Sequence, residues 1–260
     1  MSGSRYDWLK RASAILPFIF ALLLWQGLVS LQVVDPLFLP SPVRVGRSLF
    51  ELVTADGFLL ELATTSLRAL GGLVLGAAIG VPLGTAMAVS PSVEGFANPL
   101  VKATYSLPKT ALVPLFILWF GIGNVTNILA VALATMLPMI VYTYHAVEGA
   151  PKVLLWSARA MGTSEAGLLP HVLLRSALPG ILTGLRIGLG FAFLIAIAAE
   201  MIAAKIGVGK LLFLYGENGA YDFMFAAIAA VVFVSYAADR GFSALSDHLL
   251  RWQEPAEGKA

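Results

Sequence analysis

The acidic residue that lies deepest in an apolar stretch is Glu200, near the end of the run Ile181–Ala204. A carboxylate surrounded by apolar residues is costly in a membrane, so it is usually functional or paired with a cation. Two roles remain open for Glu200. It is a candidate group on a translocation pathway, or it is a structural group that reaches interfacial water or pairs with Lys205.

The segment Gly207-Val208-Gly209-Lys210 resembles the end of a phosphate-binding loop. The full pattern needs a glycine at position 204 and a serine or threonine after the lysine, because those groups cradle the phosphates and the magnesium ion. This chain has Ala204 and Leu211 there. We therefore expect the chain itself to bind no nucleotide, and any ATP that drives it to be bound with magnesium by another chain.

Other catalytic or metal-binding sets are not apparent. The chain has no cysteine, and its three histidines, His145, His171 and His248, lie far apart without metal-ligand spacing. The acidic residues form no paired set that suits hydrolysis. The net charge of +2 is too small to favour nucleic acid as a partner. We expect no enzyme, no metal site and no cofactor bound by this chain.

The composition is that of an integral membrane protein. Apolar residues make up 58% of the 260 residues and charged residues only 12%, and the mean hydropathy is +0.85. Globular domains have about 25% charged residues, so the surface of this chain is suited to lipid rather than water. No polar linker divides the chain. An all-α, polytopic membrane protein is the expected fold class.

Six apolar stretches are each close to the ~20 residues that cross a bilayer as a helix. Prolines such as Pro108 and Pro114 fall within or near them and predict kinks. The first stretch follows a charged start, but it is longer than the apolar core of a signal peptide, so we expect a retained span. The predicted spans are Ala12–Leu31, Leu62–Val89, Leu100–Phe120, Ile128–Tyr144, Ile181–Ala204 and Phe223–Ala238.

The basic residues predict the orientation of the chain. Positive charges concentrate on the cytoplasmic side of membrane proteins. With the N-terminus inside, 12 of the 17 basic residues lie at cytoplasmic ends, and both termini are cytoplasmic. Those 12 are Arg5, Lys10, Arg11, Lys102, Lys109, Lys152, Arg159, Arg175, Arg186, Arg240, Arg251 and Lys259, whereas Arg44, Arg47, Arg68, Lys205 and Lys210 lie outside.

Two segments between the spans have structure of their own. Val43–Val53 carries apolar Val45, Leu49 and Leu52 on one side, which predicts a short interfacial helix. Glu148–Pro179 is too polar to span and too rich in helix formers for a slack loop. We predict a helix Lys152–Met161 that ends at Gly162, and a second helix capped by Thr163-Ser164. A structured loop of this length suggests a docking partner.

Glycines recur every four residues in two spans, which places them on one face of each helix. Such faces allow another backbone to approach closely. We predict that they pack helices together, with sliding helices in a shape-changing transporter as the alternative. They are Gly72, Gly76, Gly80 and Gly84 in the second span and Gly180, Gly184 and Gly188 in the fifth.

Several motifs resemble the inner-membrane permease subunits of ABC importers, within the nitrate, sulfonate, taurine and bicarbonate group. The family signature is Glu-Ala-Ala, three residues, Gly, and later a hydrophobic residue with Pro. Here Trp156–Gly162 and Leu178-Pro179 occupy those places, with Trp156 and Ser157 replacing the first Glu and Ala. Further matches are Leu39–Pro42, Pro114–Gly123, Leu182–Gly188 and Ala199–Met201.

The resemblance implies a type I ABC importer permease in a bacterial inner membrane, which forms the pathway for a small, anionic solute. Its implied partners are a second permease copy, two cytoplasmic ATPase subunits, a periplasmic or lipid-anchored binding protein, and membrane lipid. Apolar Leu168, Leu169 and Val172, with Trp156 as a further anchor, are expected to enter the ATPase. The implied coupling loop contains Trp156, Ser157, Ala158, Arg159, Ala160, Met161, Gly162, Thr163, Ser164, Leu168 and Leu169.

The expected organisation has three parts. Residues 1–59 hold the first span and a periplasmic segment, residues 60–244 form the permease domain, and residues 245–260 form a cytoplasmic tail. An ion-driven secondary transporter is the alternative function. It usually needs repeated halves and several buried ionisable groups, and the sequence offers one candidate carboxylate and no convincing repeat.

Overall fold

The computed structural model describes residues 3–252, with side chains from residue 16 onward, and every regular element in that range is helical. Eleven α-helices follow one another, with a 3-10 turn at Lys109–Leu112 and a π-helical turn at Leu169–Leu173. They are α1 Gly3–Ser30, α2 Pro42–Thr54, α3 Phe58–Val89, α4 Pro91–Tyr105, α5 Val113–Phe120, α6 Asn124–Glu148, α7 Lys152–Ala160, α8 Glu165–Leu168, α9 Leu174–Ala203, α10 Val208–Glu217 and α11 Tyr221–Leu249.

Four of the described helical segments are long and apolar enough to cross a membrane. They correspond to the second, fourth, fifth and sixth predicted spans, and they are Phe58–Val89, Asn124–Glu148, Glu165–Ala203 and Tyr221–Leu249. The polytopic, all-helical prediction is confirmed, while the number six is too high for the described residues. The first predicted span is represented there by the shorter apolar segment Leu16–Ser30.

The third predicted span, Leu100–Phe120, is wrong as a continuous helix. The chain forms α4, then the 3-10 turn and α5, and the two halves meet at 93°. The break falls at Ser106-Leu107-Pro108. Proline lacks the N–H that would continue the helix and disfavours helical backbone at the residue before it. This bent pair is a fifth span if both halves count as one.

The predicted interfacial helix is present as α2. Ser41 caps it, because its hydroxyl accepts a hydrogen bond from the Arg44 amide at 3.3 Å, and Pro42 takes the first helical position. Val45, Ser48 and Leu52 are the buried positions of this helix. Leu49 is only half-buried, so Ser48 replaces it in the predicted face.

The described residues up to Leu59 form one compact unit with Leu211–Val232. Aromatic rings hold it together: Trp25 packs on Phe225 at 6.0 Å between centroids, and Phe38 packs on Tyr221 at 5.6 Å. The Ser48 hydroxyl donates to Asp222 at 3.4 Å.

The second unit is formed by Leu60–Lys210 and the described residues from Phe233 onward. The end of the chain, residues 253–260 with Lys259, lies outside the described residues, as do Ser2 and the side chains of Arg5, Lys10 and Arg11.

Helix α6 is the packing centre of the second unit. The α3 glycines lie against α6, and Gly180 and Gly184 of α9 approach an adjoining face of α6 at Ala146 and Tyr142. An added Cβ at any of the seven predicted glycines would come within 3.0 Å of a neighbouring atom. Gly188 differs from the other six, because its neighbour is Leu73 of α3.

Candidate functional site

The segment between α6 and α9 forms a compact helical hairpin, made of α7, the turn around Gly162, and α8. Gly162 has a left-handed backbone with φ +85°. Its amide donates to Arg159 O at 3.0 Å, and the Thr163 amide donates to Ala158 O at 3.0 Å. These two bonds form a Schellman motif, which satisfies the last carbonyls of a helix. The prediction that Gly162 ends the helix is confirmed.

The second arm of the hairpin starts at a side-chain cap. The Ser164 hydroxyl accepts from the Gly167 amide at 3.3 Å, as the predicted cap requires. Arg159 crosses the turn and pairs with Glu165 through Nε to Oε1 at 2.8 Å and Nη2 to Oε2 at 3.0 Å. Hydrogen bonding to this carboxylate raises the pKa of Arg159 above its ordinary value. The two arms are thus tied at both backbone and side-chain level.

The hairpin is continuous with a membrane-length helix. After α8 the chain passes through the π-helical turn Leu169–Leu173 directly into α9, so that Glu165–Ala203 forms one segment of 39 residues. Pro170 lies in that turn, where the wider backbone accommodates a residue without an N–H. A force applied to the hairpin therefore reaches α9 without crossing a flexible loop.

Several exposed side chains of the hairpin are large and apolar. Trp156 is 63% exposed and Met161 is 80% exposed, and Val153 is exposed beside them. Leu168 is only 4% exposed and Leu169 and Val172 are half-buried, so Leu168 offers little surface to a partner, and the contact of these residues with an ATPase stays a prediction. Ala158 is buried, Thr163 is half-buried, and Ser157, Arg159, Ala160 and Ser164 are exposed.

A second polar site surrounds Glu200 at the far end of α9. Arg68 of α3 donates from Nη1 to Glu200 Oε1 at 2.7 Å, and both side chains are buried. The Thr65 hydroxyl donates to Glu200 Oε2 at 2.8 Å, and the Gly209 amide donates to the same oxygen at 3.0 Å. Pairing with Lys205 was one of the alternatives left open by the sequence, and the cation that pairs with Glu200 in the structure is Arg68.

Arg68 makes three further hydrogen bonds besides the one to Glu200. Its Nη1 donates to Ile206 O at 2.5 Å, and Nε and Nη2 donate to Asn124 Oδ1 at 2.9 and 2.6 Å. The pair thus joins α3, the start of α6, α9 and the turn after α9. These bonds favour the structural role of Glu200, and its role on a pathway stays a prediction.

The turn that resembled a phosphate loop is filled by the chain itself. The Gly207 amide donates to Glu61, the Val208 amide donates to Thr65 Oγ1 at 2.9 Å, and the Gly209 amide donates to Glu200. Gly207 has φ +133°, and a Cβ there would meet the Glu200 carboxylate. Among residues 3–252, no group of three or more acidic or histidine side chains is placed to hold a metal ion.

Arg68 was missed as a site residue, although it is the one charged residue inside the predicted span Leu62–Val89. A lone charge in an apolar span needs a partner. That partner was the one acidic residue of another span, Glu200. Pairing the two was possible from residue type alone, whereas Asn124 and the Ile206 carbonyl required the fold.

The comparison with family models decides the identity. Residues 63–251 match the model of the binding-protein-dependent transport system inner membrane component. The chain belongs to this family. The matched residues include the hairpin, the packed parts of α3, α6 and α9, and the Arg68–Glu200 pair. The predicted resemblance to ABC importer permeases is confirmed, and the permease function follows from it, so that a secondary transporter is not favoured.

Two relatives show the group within the family. The permease is 36% identical to the taurine transport system permease protein TauC of Escherichia coli (strain K12), over 89% of this chain and 86% of that protein. It is 31% identical to the putative aliphatic sulfonates transport permease protein SsuC of Bacillus subtilis (strain 168), over 98% and 91%. These relatives are transport permeases.

The fold of the permease is also that of a solved transporter. A structure of the MetNI methionine ABC transporter in an inward-facing conformation matches with a TM-score of 0.66 and 19% identity. The match covers 74% of this chain and 95% of that one. At this identity the likeness shows the fold alone, and it is the type I importer fold that the sequence predicted.

Proposed function

We propose that this permease imports small sulfonates as the membrane-spanning subunit of an ATP-driven importer, and that α7 and α8 form the surface on which a separate ATPase docks. Two relatives named for taurine and aliphatic sulfonates support the substrate class, and the match covers at least 86% of the length of each. In this proposal two permease copies assemble, two ATPases bind ATP with magnesium, and an extracytoplasmic binding protein delivers the solute.

One observation carries the docking proposal: the second arm of the hairpin, α8, and the helix α9 form one helical segment, Glu165–Ala203, and the Arg159–Glu165 pair ties its start to α7. ATP-driven transport requires ATPase movements to reach the spans. A continuous helix transmits such a movement to the spans better than a flexible loop, because a flexible loop can change shape without moving the helix that follows it. Exposed Trp156 and Met161 supply apolar area, and aromatic and methionine side chains are enriched at protein interfaces.

The substrate is tested by uptake. A strain that lacks sulfonate uptake would receive this permease with the ATPase and binding protein encoded beside it. We expect growth on taurine or an alkanesulfonate as the sulfur source, and no growth when the ATPase gene is omitted. Growth without the ATPase would contradict an ATP-driven importer, and uptake of only unrelated solutes would contradict the substrate class.

The orientation is tested by labelling, since the wild type has no cysteine. We propose that both termini and the hairpin are cytoplasmic, as the basic residues indicate. Ser41→Cys should react with an impermeant thiol reagent in intact cells. Ser164→Cys, which is exposed in the hairpin, should react only after the membrane is opened. Labelling of position 164 in intact cells would contradict this orientation.

A further inference from the structure

A further ion pair, distinct from Arg68–Glu200 and Arg159–Glu165, joins α9 to α11. Arg186 donates from Nε to Asp239 Oδ1 at 2.7 Å and from Nη2 to Asp239 Oδ2 at 2.8 Å. The Arg186–Asp239 pair is partly exposed, unlike the Arg68–Glu200 pair: the Arg186 side chain is 55% exposed and the Asp239 side chain is 32% exposed.

The pair lies inside the membrane-length part of the helices. Gly184 and Gly188 of α9 flank Arg186, and they lie against Tyr142 and near Thr135 of α6. Arg186 is therefore level with about Met139, which lies nine residues before the end of α6 at Glu148. At ~1.5 Å per residue, this is about 14 Å from that end. The sequence had assigned Arg186 to the cytoplasmic end of its span, and the structure places it deeper.

The exposed charge of Arg186 at this depth indicates what this side of α9 faces. Ionisable side chains within spans almost always face a protein interior or a water-filled cavity rather than lipid. The exposed side of α9 around Arg186 is also polar or small, because Thr183 and Gly190 share it. On α11, Ser235 lies one turn before Asp239. The turns immediately around the pair are therefore polar or small, whereas Leu194 and Val232, two turns away, are exposed and apolar.

The geometry of the pair leaves one edge of the guanidinium free. Asp239 occupies Nε and Nη2, and the structure gives Nη1 no hydrogen bond within residues 3–252. A guanidinium fork binds planar or tetrahedral oxyanions well, and its bidentate partner fixes its direction. Asp239 also offsets the positive charge, which weakens the hold on an anion. A transport pathway needs such weak binding, because the solute must leave again.

We propose that the Arg186–Asp239 pair lines the water-filled inner part of the translocation pathway and that Arg186 Nη1 contacts the oxyanion group of the passing solute. This inference rests on the proposed function and extends it by naming a pathway residue that selects for a sulfonate or similar oxyanion. The competing explanation is a structural pair that merely joins α9 to α11, covered by another protein.

The test uses the complete transporter in proteoliposomes, with radiolabelled taurine as the probe. Arg186→Gln should lower the initial uptake rate by about ten-fold or more, the size expected for one lost charged hydrogen bond. The amount of co-purified ATPase should stay unchanged. Arg47→Gln is the control, because it also removes one exposed arginine, and Arg47 lies on α2 and has no ion pair in the described part of the chain.

Two double variants separate the explanations. A structural pair tolerates exchange, so Arg186→Asp with Asp239→Arg, or Arg186→Gln with Asp239→Asn, would restore uptake. A pathway arginine does not tolerate it, because the guanidinium is then on the wrong helix or absent. We expect both double variants to remain as defective as Arg186→Gln. Recovery of wild-type uptake by either one would overturn the inference.

A second measurement does not depend on the substrate. Thr183→Cys, one turn from Arg186, should react with an anionic, membrane-impermeant methanethiosulfonate in the assembled transporter. Phe233→Cys, exposed in the apolar part of α11, is the control and should react slowly. If the wild type took up no taurine, the substrate proposal would fail, and this labelling would still decide the pathway. Equal, slow labelling at both positions would overturn it.

Discussion

Arg68 and Glu200 lie 132 positions apart in the chain, and their side chains meet at 2.7 Å with both groups buried. Each is also bound by a neighbour, Asn124 for the arginine and Thr65 for the glutamate. A buried pair with all partners in place is tolerated, whereas one partner alone leaves an uncompensated charge. The pair therefore fixes the first third of α3, the start of α6 and the end of α9 relative to one another.

The first prediction concerns this pair. Arg68→Gln or Glu200→Gln should each destabilise the purified permease by about 3–5 kcal/mol, because the remaining charge stays buried without its partner. The double variant should lose less than the sum of both. Thermal unfolding in detergent measures this, with exposed Arg47→Gln as the control. Single variants as stable as the control would show that the pair contributes nothing.

The second prediction concerns the close approach of α3 and α6. Gly80→Ala should destabilise by about 1–3 kcal/mol, since its Cβ would press on Met139 and the Met136 carbonyl. Gly95→Ala in α4 should be neutral or slightly stabilising, because nothing lies within 4 Å and alanine favours helix. Unfolding temperatures of the two variants test this. Equal effects at both positions would contradict close packing at Gly80.

The third prediction separates the two apolar surfaces of the hairpin. Trp156→Ala should leave the stability of the permease within about 0.5 kcal/mol, as for an exposed site, while weakening its association with the ATPase. Leu168→Ala should instead lower the stability of the permease, by about 2–5 kcal/mol, because the Leu168 side chain is buried. Unfolding and co-purification are measured on both variants. Loss of stability in Trp156→Ala with normal association would reverse these assignments.

Local patterns predicted much of this fold. Runs of apolar residues located four membrane-length helices, and Gly162 with Ser164 located the turn and cap of the hairpin, because backbone conformation there depends on nearby residues. The family motifs predicted the type I permease fold. The sequence analysis interpreted Pro108 as a kink within one span. In the structure the helix ends before this proline, because Ser106 and Leu107 are not helical.

Long-range features were harder to predict. The face of a short helix that turns inward depends on what packs over it, so apolar Leu168 and apolar Trp156 look alike in sequence although one is buried and the other exposed. Likewise, the nearest cation to Glu200 along the chain is Lys205, but the fold brings Arg68 closer. The depth of Arg186 followed only from its level relative to α6.

Gly162→Val tests most directly whether the hairpin is the coupling element. The left-handed backbone at φ +85° is less favourable for valine by about 1 kcal/mol or more. A Cβ at position 162 meets no described neighbouring atom within 4 Å, so the effect of the substitution is confined to the turn. The measurement is the amount of ATPase that co-purifies with the permease, together with sulfonate uptake per ATP hydrolysed. We expect the variant to reach the membrane at the wild-type level, with less ATPase bound or with hydrolysis uncoupled from uptake. Normal association together with normal uptake would contradict the assignment of α7 and α8 as the coupling element.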